Sequence, residues 1–335
     1  TFGATSNTRY QQDAATTIAS TTLFTAGYGN LYLEPTNTAA RTYTGQGPIT
    51  VQTDLDVNPT AAATNRGLLF DLGGALTVTG TTTLRAQSSA TSSINTVNAS
   101  NSVTSGHLDI QTNGELTTVG GAPVTLNGTD GTLFTMGGGT FNHDTISTLY
   151  MQPNSSVILT SGAITFANLQ FNPTITAERT YTFGSGAITV NGNFRISPSS
   201  ASAVGLNVLL GANLTVGATT TVSLTGAVAS STLNTTSSNY NLTTGVLYIP
   251  AGSGQLIANG SNITAPSTVS LPFNTETGNG RLLAGTSTFI YNGDGNITIA
   301  TSTYYNLTTN PSISSAGRTY TTAGAITVLG ALDVN

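Results

Sequence analysis

Apolar and polar residues alternate over stretch after stretch of this chain. In ITVQTDLDV the apolar positions are Ile49, Val51, Leu55 and Val57, with Thr53 between the two pairs. A second copy sets Ile188, Val190, Phe194 and Ile196 around Gly192; a third sets Ile326, Val328, Leu332 and Val334 around Gly330. The same grammar recurs as Leu76, Val78, Gly80, Thr82, Leu84 and as Leu214, Val216, Ala218, Thr220, Val222. A period of two broken midway by a small or polar residue predicts two short strands meeting at a bend. Helical periodicity is almost absent. Only Arg9 to Ser20, with its glutamines and alanines, has a composition that suits a helix.

These phrases belong to a long internal repeat. Asn30 to Pro59, Asn168 to Pro198 and Asn306 to Asn335 align, and Pro35, Pro173 and Pro311 recur at intervals of 138 residues. GALTVTGTTTL from Gly74 aligns with ANLTVGATTTV from Ala212, and GHLDI from Gly106 with GVLYI from Gly245. Many short strands with Gly, Asn and Ser at the corners predict an all-β parallel solenoid, or β-helix. Each of its turns buries alternate residues against the turns above and below. Rungs of about 20 to 25 residues divide one repeat into about six. The alternative is a set of tandem β-sandwich modules. Sandwiches call for hairpin signals such as Asn191-Gly192, but its siblings Thr53 and Gly330 stand in non-hairpin contexts. Residues 1–335 therefore read as one continuous solenoid, with a partial repeat over 1–58 and full repeats over 59–196 and 197–335. Asn335 matches Asn58, so the sequence stops within a repeat. That predicts either a window from a longer repetitive chain or open ends that stack on other subunits.

Composition narrows the functions. Of 335 residues 6% are charged and the net charge is −5, with eight arginines, no lysine and thirteen acids. Clustered cations for nucleic-acid phosphates are missing, so no nucleic-acid partner is expected. There is no cysteine, hence no disulfide framework and no thiolate metal site. No run of about 18 apolar residues offers a transmembrane segment. Richness in Ser, Thr, Gly and Asn often signals disorder, but a disordered tract has no reason to keep a period of two.

The run from Thr288 to Asn335, with its YYNL, RTYT and ITV-x-G-x-L-x-V phrases, resembles repeats of bacterial β-helix surface proteins. These are adhesin-like or autotransporter-passenger-like proteins in the style of filamentous haemagglutinin. The resemblance implies an extracellular, cell-surface rod or filament with no catalytic residues to carry over. No passenger-translocating barrel, anchor or cap accompanies it.

Few residues suggest a site. Arg41, Arg179 and Arg318, followed by Tyr43, Tyr181 and Tyr320, form a repeated surface feature. It is readable as a partner contact or, more simply, as Arg packing over Tyr. Asp54 and Asp56 are of the right type to share a cation, but their equivalents Asn193, Arg195, Ala331 and Asp333 do not preserve it. Asn292-Gly-Asp294-Gly-Asn296 opens like a calcium loop, but Ile297 and Thr303 stand where that loop needs Gly and Glu. His107 with Asp109, His143 with Asp144, and four scattered glutamates (Glu34, Glu115, Glu178, Glu276) make a poor acid–base inventory. No metal, cofactor or enzymatic activity is expected. The reading is a structural extracellular protein: a β-solenoid rod, filament or surface-layer fibre built by end-to-end or chain-continuous stacking. The alternative is an adhesin rod that binds carbohydrate or another cell surface. Self-association is the leading partner, and glycans are the second.

Overall fold

The computed structural model describes residues 5–23, 27–61, 66–88, 90–159, 162–226, 230–250, 254–275, 281–311 and 317–335. Among them there is no α-helix, only a 3-10 turn over Thr21–Leu23. Every ladder described between strands is parallel. The chain is a β-solenoid. It forms two compact units, residues 1–153 with 158–161 and residues 154–157 with 162–335.

In the first unit one turn runs along Ile49–Val51, bends into Leu55–Val57 and passes the corner strand Thr60–Ala61. It returns through Leu68–Asp71 to Leu76–Leu84. Leu55 pairs with Thr82, Thr82 with Leu108 and Leu108 with Phe134, so successive turns are 27, 26 and 26 residues apart. On another face Thr16–Ile18, Arg41–Gly45, Leu68–Asp71, Ser92–Asn95, Gly114–Thr117 and Thr140–Asn142 make a six-stranded sheet. Alternation then fixes what lies inside: Leu31, Leu55, Val57, Leu84, Ile110 and Phe134 are all fully buried. Burying each such side chain contributes about 1.5–3 kcal/mol.

The second unit repeats the plan. Ile188–Val190 bends into Phe194–Ile196, passes Ser199–Ser200, runs along Gly205–Leu209 and returns to Leu214–Val222. Its interior is more aromatic, with Phe171 lying 5.6, 5.6 and 5.5 Å from Tyr181, Phe183 and Phe194. Phe171 meets Tyr181 and Phe194 edge-on and Phe183 at a tilt, and such pairs add to the stabilisation from area burial.

The predicted bend is present, in two forms. Ile49–Val51 and Leu55–Val57 are separate strands, as are Ile188–Val190 and Phe194–Ile196. Leu76–Leu84 and Leu214–Val222 instead run through it, with register shifts between Val78 and Thr81 and between Val216 and Thr219. Glycine is required where such a strand is crossed. A Cβ on Gly106 would lie 2.4 Å from the Thr79 carbonyl oxygen, and one on Gly245 2.6 Å from that of Ala218. Inside the bend the buried hydroxyls satisfy one another, Thr82 Oγ1 with Ser105 Oγ at 2.9 Å and Thr220 Oγ1 with Thr244 Oγ1 at 2.9 Å.

Two alternatives fall away. Asn191-Gly192 is a bend between strands that continue in one parallel sheet, so it makes no sandwich hairpin. Arg9 to Ser20 is not helical: Asn7–Tyr10 and Thr16–Ile18 are strands paired with Asn30–Leu33 and Tyr43–Gly45. A waiting ladder on the neighbouring turn overrides the local composition.

Candidate functional site

The Arg-Thr-Tyr-Thr segments occupy equivalent places on their turns. Arg41 Nε donates to Asp13 Oδ1 at 2.6 Å, and the Tyr43 hydroxyl donates to the Gln12 carbonyl at 2.7 Å. Arg318 Nε donates to Asp294 Oδ1 at 2.7 Å, and the Tyr320 hydroxyl to the Gly293 carbonyl at 2.7 Å. Each Arg–Tyr pair thus grips two consecutive residues of the turn before it. The Arg41 hydrogen bond and those from Thr38 hold the Asp13 carboxyl at about 2, below the usual carboxylate range. In the middle copy Asn154 stands in for the aspartate. Arg179 reaches its Oδ1 only at 3.4 Å, and the Arg179 Nε carries no hydrogen bond. Tyr43 and Tyr181 are buried rather than superficial, 0% and 2% exposed. A strand that buries every second residue draws the tyrosine inward while the longer arginine reaches around the corner. Burial pushes the Tyr181 hydroxyl far above its ordinary value.

The other candidates are also tied to neighbouring turns. Asp54 Oδ1 accepts the Thr81 N–H at 2.8 Å, while Asp56 holds Arg85 through two bonds of 3.1 and 2.7 Å. The Asp294 of the calcium-like loop is the partner of Arg318. His107 Nε2 lies 2.7 Å from the Asp130 carbonyl oxygen, and Asp109 accepts from Gln111 at 2.6 Å. His143 stacks on Phe141 at 4.8 Å, and burial lowers its ring to about 4, against a weaker opposing pull from Asp144. Burial alone would raise the Asp144 carboxyl, but hydrogen bonds from Ser147, Gly121 and Ile146 hold it below its ordinary value. Glu276 lies outside the described residues.

One grouping escaped the sequence reading. On the outer side of the first unit, Tyr32, Asp56, Thr83, Asp109 and Thr135 stand in register on five successive turns. Beside this row Arg9 donates to Glu34 at 2.6 Å and lies 4.1 Å over the Tyr32 ring. Five charged residues, Arg9, Glu34, Asp56, Arg85 and Asp109, thus share one face of a chain that is 6% charged. Next to the row is a cleft of about 480 Å³ lined by Asn58, Arg85, Gln87, Asp109, Gln111 and Thr135 among others. Asn58 is 9% exposed, and its Oδ1 accepts no hydrogen bond. A signal existed in the sequence: counting along rungs of 24 to 27 residues, rather than along the 138-residue repeat, lines these residues up.

Among the described residues no helix is long and apolar enough to cross a membrane. Comparison with protein-family models, with curated proteins and with solved structures gives no match. Function has to be read from the chain's own chemistry.

Proposed function

We propose that the chain is a structural protein of the cell surface or extracellular space, whose turns stack on turns of like kind to build a filament or fibre. The observation that carries this reading is a side-chain ladder at the bend. Asn30 Oδ1 accepts the Asp54 N–H at 3.2 Å, and Asp54 passes the contact on to Thr81. In the second unit Asn168 Oδ1 accepts the Asn193 N–H at 2.9 Å and Asn193 Oδ1 the Thr219 N–H at 3.3 Å, while at the corner where the strands begin Asn213 Oδ1 accepts the Asn241 N–H and Asn241 Oδ1 the Asn262 N–H, each at 2.9 Å. Short amide side chains reach the backbone of the next turn, about 4.8 Å away, and little farther. Side chain and backbone alike are therefore spent on holding one turn to the next. No catalytic role is assigned to any residue. An absence of reactive amines and thiols suits a persistent extracellular material.

Negative-stain microscopy of the purified chain at rising concentration tests the filament: uniform fibres are expected. Monodisperse single particles at every concentration would refute it. The second reading, an adhesin that binds carbohydrate, is favoured by one feature, the polar cleft of the first unit.

A further inference from the structure

We propose that the cleft between Asn58, Arg85, Gln87, Asp109, Gln111 and Thr135 is a binding site for a neutral saccharide. This rests on the second, carbohydrate-binding reading and is independent of filament formation. At about 480 Å³ the cleft falls within the range of small-ligand pockets. Its chemistry selects hydroxyl groups. A sugar hydroxyl donates one hydrogen bond and accepts others. The lining supplies both kinds of partner: an acceptor in the Asp109 carboxylate, which takes one hydrogen bond from Gln111, and donors in the Gln87 amide and in the remaining N–H groups of Arg85 and Gln111. Asn58 lines the cleft as a nearly buried side chain, 9% exposed.

Charge excludes an anionic ligand. The Arg85 guanidinium is already held at 3.1 and 2.7 Å by Asp56, which leaves Asp109 as the surplus charge of the lining. A uronate or phosphate group would be placed against a carboxylate with no free cation beside it. The scaffold does not need these residues. At the matching positions of the second unit Asn58, Arg85, Asp109 and Gln111 are replaced by Ser197, Ser223, Tyr248 and Pro250, and the ladders are retained.

Titration calorimetry of the full chain with chitotriose, mannotriose and laminaritriose, and with trigalacturonate as the anionic control, tests the site. At least one neutral trisaccharide should saturate a single site with Kd of about 1 mM or tighter. Asp109→Ala and Gln111→Ala should each weaken binding about tenfold or more, with unchanged circular dichroism, while Arg195→Ala in the second unit should leave it intact. The proposal is overturned if no neutral trisaccharide saturates, if trigalacturonate binds better, if both cleft variants bind normally, or if Arg195→Ala is equally damaging. Fibre formation is scored separately on the same samples, so failure of the site and failure of the filament are told apart.

Discussion

The outward rows of the two units differ where their interiors agree. In the first unit the row reads Tyr32, Asp56, Thr83, Asp109, Thr135; in the second it reads Gln170, Arg195, Thr221, Tyr248, Asn274. One residue along each strand the side chains turn inward, and there Leu55 and Val57 match Phe194 and Ile196, all 0% exposed. The buried hydroxyl pair at the bend is likewise kept, as Thr82 with Ser105 and Thr220 with Thr244. The interior is held to a pattern by stacking, because each buried residue meets its counterpart on two neighbouring turns. The exterior is constrained only by solubility and by whatever binds there. Divergence of the outward row therefore locates where a specific surface can be placed without disturbing the coil.

The largest effect should come from breaking what the units share. Leu55→Ala is expected to cost about 2–5 kcal/mol and Phe194→Ala about 3–5 kcal/mol, since each opens a cavity between turns. Chemical denaturation of the two variants checks this. If either side chain could be cut back for less than about 1 kcal/mol, the claim that stacking fixes the interior would be wrong.

Much of this interior was legible in the sequence. Alternation around Thr53 and Gly192 placed the strands, and the phase of Leu55 and Phe194 placed them in the core. What alternation could not give was the partner on the next turn. Arg41 with Asp13 and Arg85 with Asp56 are 28 and 29 residues apart, a distance set by loop lengths that vary from turn to turn. The cleft stayed hidden for the same reason. Asn58, Arg85 and Asp109 come from three successive turns and carry no shared local motif. Tyr43 and Tyr181 were misplaced on the surface because an Arg-Thr-Tyr-Thr phrase reads as polar, although alternation within the strand turns the ring inward.

A second difference between the units is His143, which lies in the first unit only. Its folded value of about 4 is below the ordinary 6.5 because burial disfavours the charged ring. An unfolded chain takes up this proton below pH 6.5, whereas the folded chain does so only near pH 4. Stability from this group is thus complete above pH 6.5 and is lost as pH falls toward 4. The loss should be about 3 kcal/mol. Urea unfolding at pH 7 and pH 4.5 should show most of it, and His143→Gln should flatten the slope across that window. An unchanged slope in His143→Gln would remove the histidine from the comparison.

The smallest effect is the sharpest test of the outward row, because it sets one arginine against its near counterpart. Arg195 is exposed in the second unit, and Arg195→Ala should change stability by no more than about 0.5 kcal/mol. Arg85 holds a carboxylate whose side chain is only 12% exposed. Arg85→Ala should therefore cost about 1–2 kcal/mol, most of it from leaving Asp56 nearly buried and unpaired. That origin has a signature. Removing the carboxylate as well, in Asp56→Ala with Arg85→Ala, should recover part of the loss, so the double variant is more stable than the sum of the singles. If the two losses simply add, the pair is an incidental surface contact, and the outward row of the first unit is no more organised than that of the second.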